Sequence, residues 1–233
     1  MLLGPTAINM MEAFSSVPAL VTALIAALIC GGAATALGPW ARRLVESDSR
    51  WLRSSLHVLL AAAGGAGAAV LATNWAELAT FAVLAVGVGL LIVIDLAVFR
   101  LPDVIVGPLY PVVFLGLAAA AALTSEWGSL GRAATAAAAL LVFYFVLALI
   151  NPSGLGLGDV KLSGVLGAFL GWLGWPAVLA GTLAAFVINA AVALVLLVAG
   201  RVGAKSGIAF GPAMVFGAVA GAAYFMVRTT GLT

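Results

Sequence analysis

Two aspartates in this chain stand where apolar, membrane-length runs give way to short polar ones. Asp159 lies in Gly154-Leu155-Gly156-Leu157-Gly158-Asp159-Val160-Lys161, and Asp159 and Lys161 are the only charges between Arg132 and Arg201. Asp95 follows directly on Leu90-Leu91-Ile92-Val93-Ile94. An ionisable residue at membrane level is costly to keep, so it marks a functional site by default. Two such acids facing one another can share a proton. One is then the base that deprotonates a water, and the other is the acid that protonates the leaving amide nitrogen.

The local sequence supports this chemistry only in part. Glycines at 156 and 158 permit unusual dihedrals and a close approach of neighbouring backbone. An Asp at a helix start can cap free N–H groups and meet the positive end of the helix dipole. A helix start favours the carboxylate, whereas apolar burial favours the neutral acid. Taken alone, Gly-x-Gly-Asp reads rather as a helix N-cap after a flexible turn, and it is the second acid on the same membrane face that favours chemistry. A phosphate loop is excluded, because Gly-Lys-Ser/Thr does not follow and Asp159 repels phosphate. Asp95 has its own simpler reading, an ion pair with Arg100 at a helix end. Asp103 follows Pro102 and precedes a new apolar run, which suits a capping or supporting role. Lys161 is read as a membrane-surface anchor, with orientation of Asp159 or of a substrate as the alternative.

The elements that position these acids follow from composition. The chain has 233 residues, 65% hydrophobic and 8% charged, whereas soluble domains carry about a quarter charged residues. Such a chain cannot cover its apolar surface with polar groups, so it is an all-α, polytopic transmembrane bundle whose surroundings are the lipid bilayer. A net charge of +2 with no Lys/Arg run gives no nucleic-acid patch. The single cysteine, Cys30, reads as a small buried hydrophobe, and the single histidine, His57, as an interfacial helix residue. Neither offers a metal cluster, and no cofactor is expected. The first residues lack a basic stretch followed by a small-residue cleavage site, so no removable signal peptide is expected.

A helix needs about 20 residues to cross the hydrocarbon, and eight runs qualify. They are approximately 17–37, 54–73, 78–99, 105–123, 132–150, 159–173, 176–199 and 208–227. With eight alternating spans, Arg42, Arg43, Arg50, Arg53, Arg100, Lys161, Arg201 and Lys205 fall on one side, and only Arg132 and Arg228 on the other. That asymmetry makes the first side cytoplasmic and puts both termini outside. Asp95, Asp103 and Asp159 then share the cytoplasmic side, although they were not used to orient the chain. Glycines at 64, 65, 67, 164, 167, 171, 217 and 221 read as helix-packing positions.

Asp95 to Asp103, followed by an apolar helix, resembles the Asp-x-x-x-x-x-Leu-Pro-Asp segment of type IV prepilin peptidases. Gly154 to Leu162 resembles the Gly-x-Gly-x-Gly-Asp-Val-Lys-Leu signature of that family, and Ile208-Ala209-Phe210-Gly211-Pro212 resembles its Ile-Pro-Phe-Gly-Pro segment, with Ala209 in place of Pro. The resemblance is clear from about Gly87 to Ala223. The chain is therefore read as one membrane-embedded domain, 1–233, with a core over 78–225 and poorly matched spans over 1–75.

The resemblance implies an intramembrane aspartic endopeptidase of the cytoplasmic membrane. Its substrate is a prepilin or pseudopilin, whose basic leader is removed beside its hydrophobic helix. Asp95 and Asp159 match the catalytic pair of the family, and Gly156 and Gly158 its motif glycines. Larger members carry a cytoplasmic insert with paired Cys-x-x-Cys motifs between the first two spans, and they methylate the new N-terminus. Here about fifteen residues around Arg42 to Arg53 fill that place, without cysteine, which implies a short form with peptidase activity alone and no zinc. The competing classes are a small proton-coupled transporter and a non-enzymatic assembly factor. A transporter calls for repeat-like halves with matching broken helices, and none is visible. An assembly factor leaves the paired acids without a purpose.

Overall fold

The computed structural model describes residues 19–47, 49–151, 154–200 and 209–230. Among them the chain is all helix and loop. The helices are α1 (Ala19–Val45), a single-turn α2 (Arg50–Arg53), α3 (Leu56–Leu71), α4 (Trp75–Val98), α5 (Asp103–Thr124), α6 (Trp127–Ile150), α7 (Leu157–Leu173), α8 (Trp175–Val198) and α9 (Gly211–Thr229). Six of these are long and apolar enough to cross a membrane: α1, α4, α5, α6, α8 and α9. The protein is a multi-pass membrane protein. The expected second and sixth spans are the shorter α3, of 16 residues, and α7, of 17. The expected starts of the first and eighth spans, Val17 and Ile208, and the cations Arg201 and Lys205 lie outside the described residues.

The end of the first span departs furthest from expectation. The first span was expected to end at Leu37, with Pro39 opening the loop, yet α1 runs through Pro39 to Val45. Hydropathy ends the apolar run there, but helix continues wherever one edge still finds packing. Ala41 is buried, and Leu44 and Val45 pack against the main core.

The centre of the bundle is α4 and α7. Leu90 to Asp95 are all buried in α4, and every residue from Asp159 to Leu173 except Lys161 is buried in α7. In lipid, packing rather than hydrophobic exclusion holds helices together, so small residues mark the contacts. A Cβ on Gly167 would stand 2.8 Å from the Ala136 carbonyl oxygen, and one on Gly171 2.9 Å from that of Arg132, so α6 and α7 touch backbone to backbone. Gly217 and Gly221 meet Gly181 and Ala177 of α8 in the same way, and Gly65 meets Ala26 of α1. Gly67, expected to be a packing position, has no such neighbour within 4 Å. Cys30 is buried as expected, its thiol 3.6 Å from the Ala82 carbonyl. His57 is in the first turn of α3, a helix residue as expected, and is buried with its ring against Gly38.

Polar side chains bolt together the end of the bundle opposite Asp95 and Asp159. The Asn74 side chain caps α4 by accepting from the Ala76 and Glu77 N–H groups at 3.0 Å each. Buried Glu77 accepts from the Thr73 N–H at 2.7 Å and from the Trp172 indole at 3.2 Å. Arg132 donates to the Gly171 and Trp172 carbonyls at 2.7 and 2.8 Å. These are among the last carbonyls of α7, which lack partners within their own helix. The starts of α4 and α6 are thereby tied to the end of α7, which fixes where the start of α7 falls at the other end.

Candidate active site

At that other end a cleft of about 850 Å³ opens between the end of α1, the α4–α5 turn and the start of α7. Asp95 and Asp159 both line it. They are 4% and 9% exposed, and the Asp95 carboxylate acts electrostatically on Asp159. The fold thus brings to one place two buried acids that are far apart in sequence.

Asp95 is in the last turn of α4, where the apolar run that buries this helix ends. One of its carboxylate oxygens accepts a hydrogen bond from the Gly211 N–H at 3.0 Å. Gly211 is the first residue of α9, next to the cap residue Phe210, so Asp95 sits on a helix N-terminus and takes one of its free donors. The approach requires glycine, because a Cβ at 211 would stand 2.8 Å from the Asp95 oxygen. Phe210 is held in turn by Tyr144 of α6, centroids 6.0 Å apart, and by Phe186 of α8, 5.5 Å apart. The ion pair to Arg100 is not formed among the described residues. Phe99 ends α4 with φ 52°, and both Phe99 and Arg100 line the cleft.

Asp159 is the third residue of α7, after the cap Gly156. One carboxylate oxygen accepts from the Gly156 N–H at 3.1 Å, the side-chain half of a capping box. The other, Oδ1, is buried and has no hydrogen-bond partner among the described residues. A buried carboxylate oxygen left open is rare and calls for a reason. Here it borders the cleft that holds the second acid. Each acid therefore has one oxygen fixed by a backbone N–H at a helix start.

The two motif glycines differ. Gly156 has φ −76° and ψ 151°, a conformation open to any residue, and a Cβ there meets the Asp159 oxygen at an ordinary 3.4 Å. Gly158 has no room for a side chain, since its Cβ would lie 2.8 Å from the Cβ of Leu101 and 3.3 Å from Leu101 backbone. Neither residue has a positive φ, so the expected unusual dihedrals are not used. The expected close approach belongs to Gly158, which lets the α4–α5 turn lie against the start of α7.

Asp103 and Lys161 face each other across that contact. The Lys161 ammonium reaches both Asp103 oxygens, at 2.8 and 2.7 Å, and both side chains are exposed. Capping by Asp103 is not observed. Pro102 is the cap residue of α5 and Asp103 its first helical residue, without a side-chain cap bond, because the carboxylate is engaged by Lys161. Lys161 contacts Asp103 and not Asp159. The Lys161 carbonyl also accepts from the Tyr110 hydroxyl at 2.7 Å, a second tie between α5 and α7.

Sequence reasoning gave no role to Gly211 or Tyr144. The Phe210-Gly211-Pro212 segment drew notice as a motif, but its contact with Asp95 is between distant parts of the chain and leaves no local pattern. Tyr144 is hidden in an apolar run, and its single hydroxyl was the available signal.

Residues 82–196 match the model of the type IV leader peptidase family. No curated protein and no solved structure matches the chain significantly. The matched stretch runs from α4 into α8 and contains Asp95, Gly156, Gly158 and Asp159, whereas α1–α3 and the Gly211 segment lie outside it. Through residues 82–196 this chain belongs to the type IV leader peptidase family, and it is a peptidase on that ground.

Proposed function

We propose that the protein is an aspartic endopeptidase that removes the leader from prepilin-like substrates at the cytoplasmic face of the cell membrane. The observation that carries the reading is that Asp95 and Asp159 line one cleft, each with one oxygen anchored by a backbone N–H. A carboxylate pair in an apolar setting shares one proton. The ionised member takes a proton from a water, the water oxygen attacks the scissile carbonyl, and the protonated member gives its proton to the leaving nitrogen. Two anchored carboxylates suit this, since the geometry is set before substrate arrives.

The location of the cleft favours a substrate that is half in the membrane. It opens at the ends of α1 and α4 and the start of α7, lined by Arg100 and Lys161, with Arg42 and Arg43 in the last turn of α1. By the charge rule that end faces the cytoplasm, with both termini outside. A prepilin or pseudopilin presents its hydrophobic helix to the spans and its leader to the cytoplasm, so the bond between them reaches the acids. Peptide cleavage is the only activity proposed, without methyl transfer. The transporter alternative gains no support from the bundle, in which the two acids share one cleft at one end.

The test uses the purified full-length chain in detergent with a prepilin-type peptide that carries a basic leader and a hydrophobic helix. Mass spectrometry is expected to show one cut at the leader–helix junction, and Asp95→Asn and Asp159→Asn are each expected to abolish it while the protein still accumulates. Full cleavage by either variant would overturn the acid pair. A methylated product from this chain alone with S-adenosylmethionine would overturn the single activity.

A further inference from the structure

Phe99 holds a conformation that its side chain disfavours. It follows α4 with φ 52° and ψ 40°, the left-handed position at which helices usually place glycine. For a bulky residue this is a strained outlier. The interior of the protein does not account for it. The ring is 61% exposed and makes none of the ring–ring contacts found among the described residues. Strained residues of this kind concentrate at ligand clamps and active sites.

Its position is specific. The Phe99 N–H donates to the Asp95 carbonyl at 2.9 Å, which fixes the residue one turn from the first acid. Across the cleft Leu157, 64% exposed, stands in the first turn of α7, two residues before the second acid. Both side chains line the cleft. One exposed apolar side chain therefore sits on each of the two arms that carry the acids.

Resting on the peptidase reading above, the geometry points to Phe99 and Leu157 as an apolar clamp for a hydrophobic side chain of the substrate next to the scissile bond, on its membrane side. Covering the two side chains removes apolar surface from water. A substrate residue seated between them carries its neighbouring peptide bond to the acids. Its specificity is for an aliphatic or aromatic residue over a polar one at that position.

Phe99→Gly separates the clamp from helix termination. Glycine suits φ 52° better than phenylalanine does, so a purely structural Phe99 loses nothing by the change. The full chain in detergent is given prepilin-type peptides with Phe, Leu, Ala or Ser next to the scissile bond on the helix side. The wild type is expected to favour Phe and Leu over Ser. Phe99→Gly is expected to melt no lower than wild type, to raise KM for the Phe peptide about tenfold with kcat kept, and to lose the preference; Phe99→Leu restores most of it. A raised KM at constant kcat marks lost substrate binding. If Phe99→Gly keeps the wild-type KM and ranking, the side chain faces lipid and the clamp is wrong. If the wild type cleaves none of the peptides, the peptidase reading fails and takes the clamp with it.

Discussion

The Gly211 N–H donates to the Asp95 carboxylate at 3.0 Å across 116 residues of sequence. This bond ties the first acid to the start of the last helix, and the Tyr144–Phe186–Phe210 cluster holds that start in place. Gly211→Ala puts a methyl group 2.8 Å from the acceptor oxygen, so the carboxylate must move. Displacement of a reacting group by an ångström costs about 100-fold in rate. Gly211→Ala is expected to lower kcat by that order while KM and the melting temperature change little, as steady-state kinetics and thermal unfolding in detergent would show.

Gly156 and Gly158 belong to one motif but respond differently to alanine. At 158 the new Cβ meets Leu101 at 2.8 Å, with backbone close behind. The α4–α5 turn must then withdraw from α7, and Asp95 and Asp159 separate. Gly158→Ala is expected to lose most cleavage, and Gly156→Ala to stay close to wild type. Cleavage of one prepilin peptide by the two purified variants checks the difference.

The Lys161–Asp103 pair is bidentate but exposed. Exposed ion pairs contribute about 1 kcal/mol at most, so Lys161→Ala is expected to cost no more than that in stability. The loss should shrink as salt rises, because screening weakens exposed pairs. Unfolding of wild type and variant at low and high salt measures both.

Arg132 acts at the opposite end. Arg132→Ala leaves the Gly171 and Trp172 carbonyls without their charged donor, a loss of about 2–3 kcal/mol. The melting temperature is expected to fall, while kcat per folded molecule holds, since Arg132 is far from the cleft. A normal melting temperature would show that water or lipid replaces the bond.

What the sequence made legible follows a physical division. Spans and acids are local features. A run of about 20 apolar residues reports a helix wherever it packs, and a charge inside one is conspicuous, as at Asp95 and Asp159. Helix ends were less legible, because α1 continues through Pro39 on packing by Ala41 and Leu44 that hydropathy does not register. Contacts between distant segments were least legible. Nothing near Gly211 announces Asp95, and nothing near Gly158 announces Leu101, because a glycine that makes room for another backbone looks like any other glycine. Asp103 was read from its position after Pro102 as a capping or supporting residue, and nothing local to it shows that its partner is a lysine 58 residues later.

The central claim is that Asp95 and Asp159 work as one unit, and residues of one unit are non-additive when removed. Its most direct test is the cleavage rate of one prepilin peptide by Asp95→Asn, Asp159→Asn and the double variant, each purified and shown to be folded. The account predicts that all three fall to the same residual rate, the second substitution adding nothing to the first. A single variant that retains substantial cleavage, or a double variant whose loss is the product of the two single losses, would contradict it.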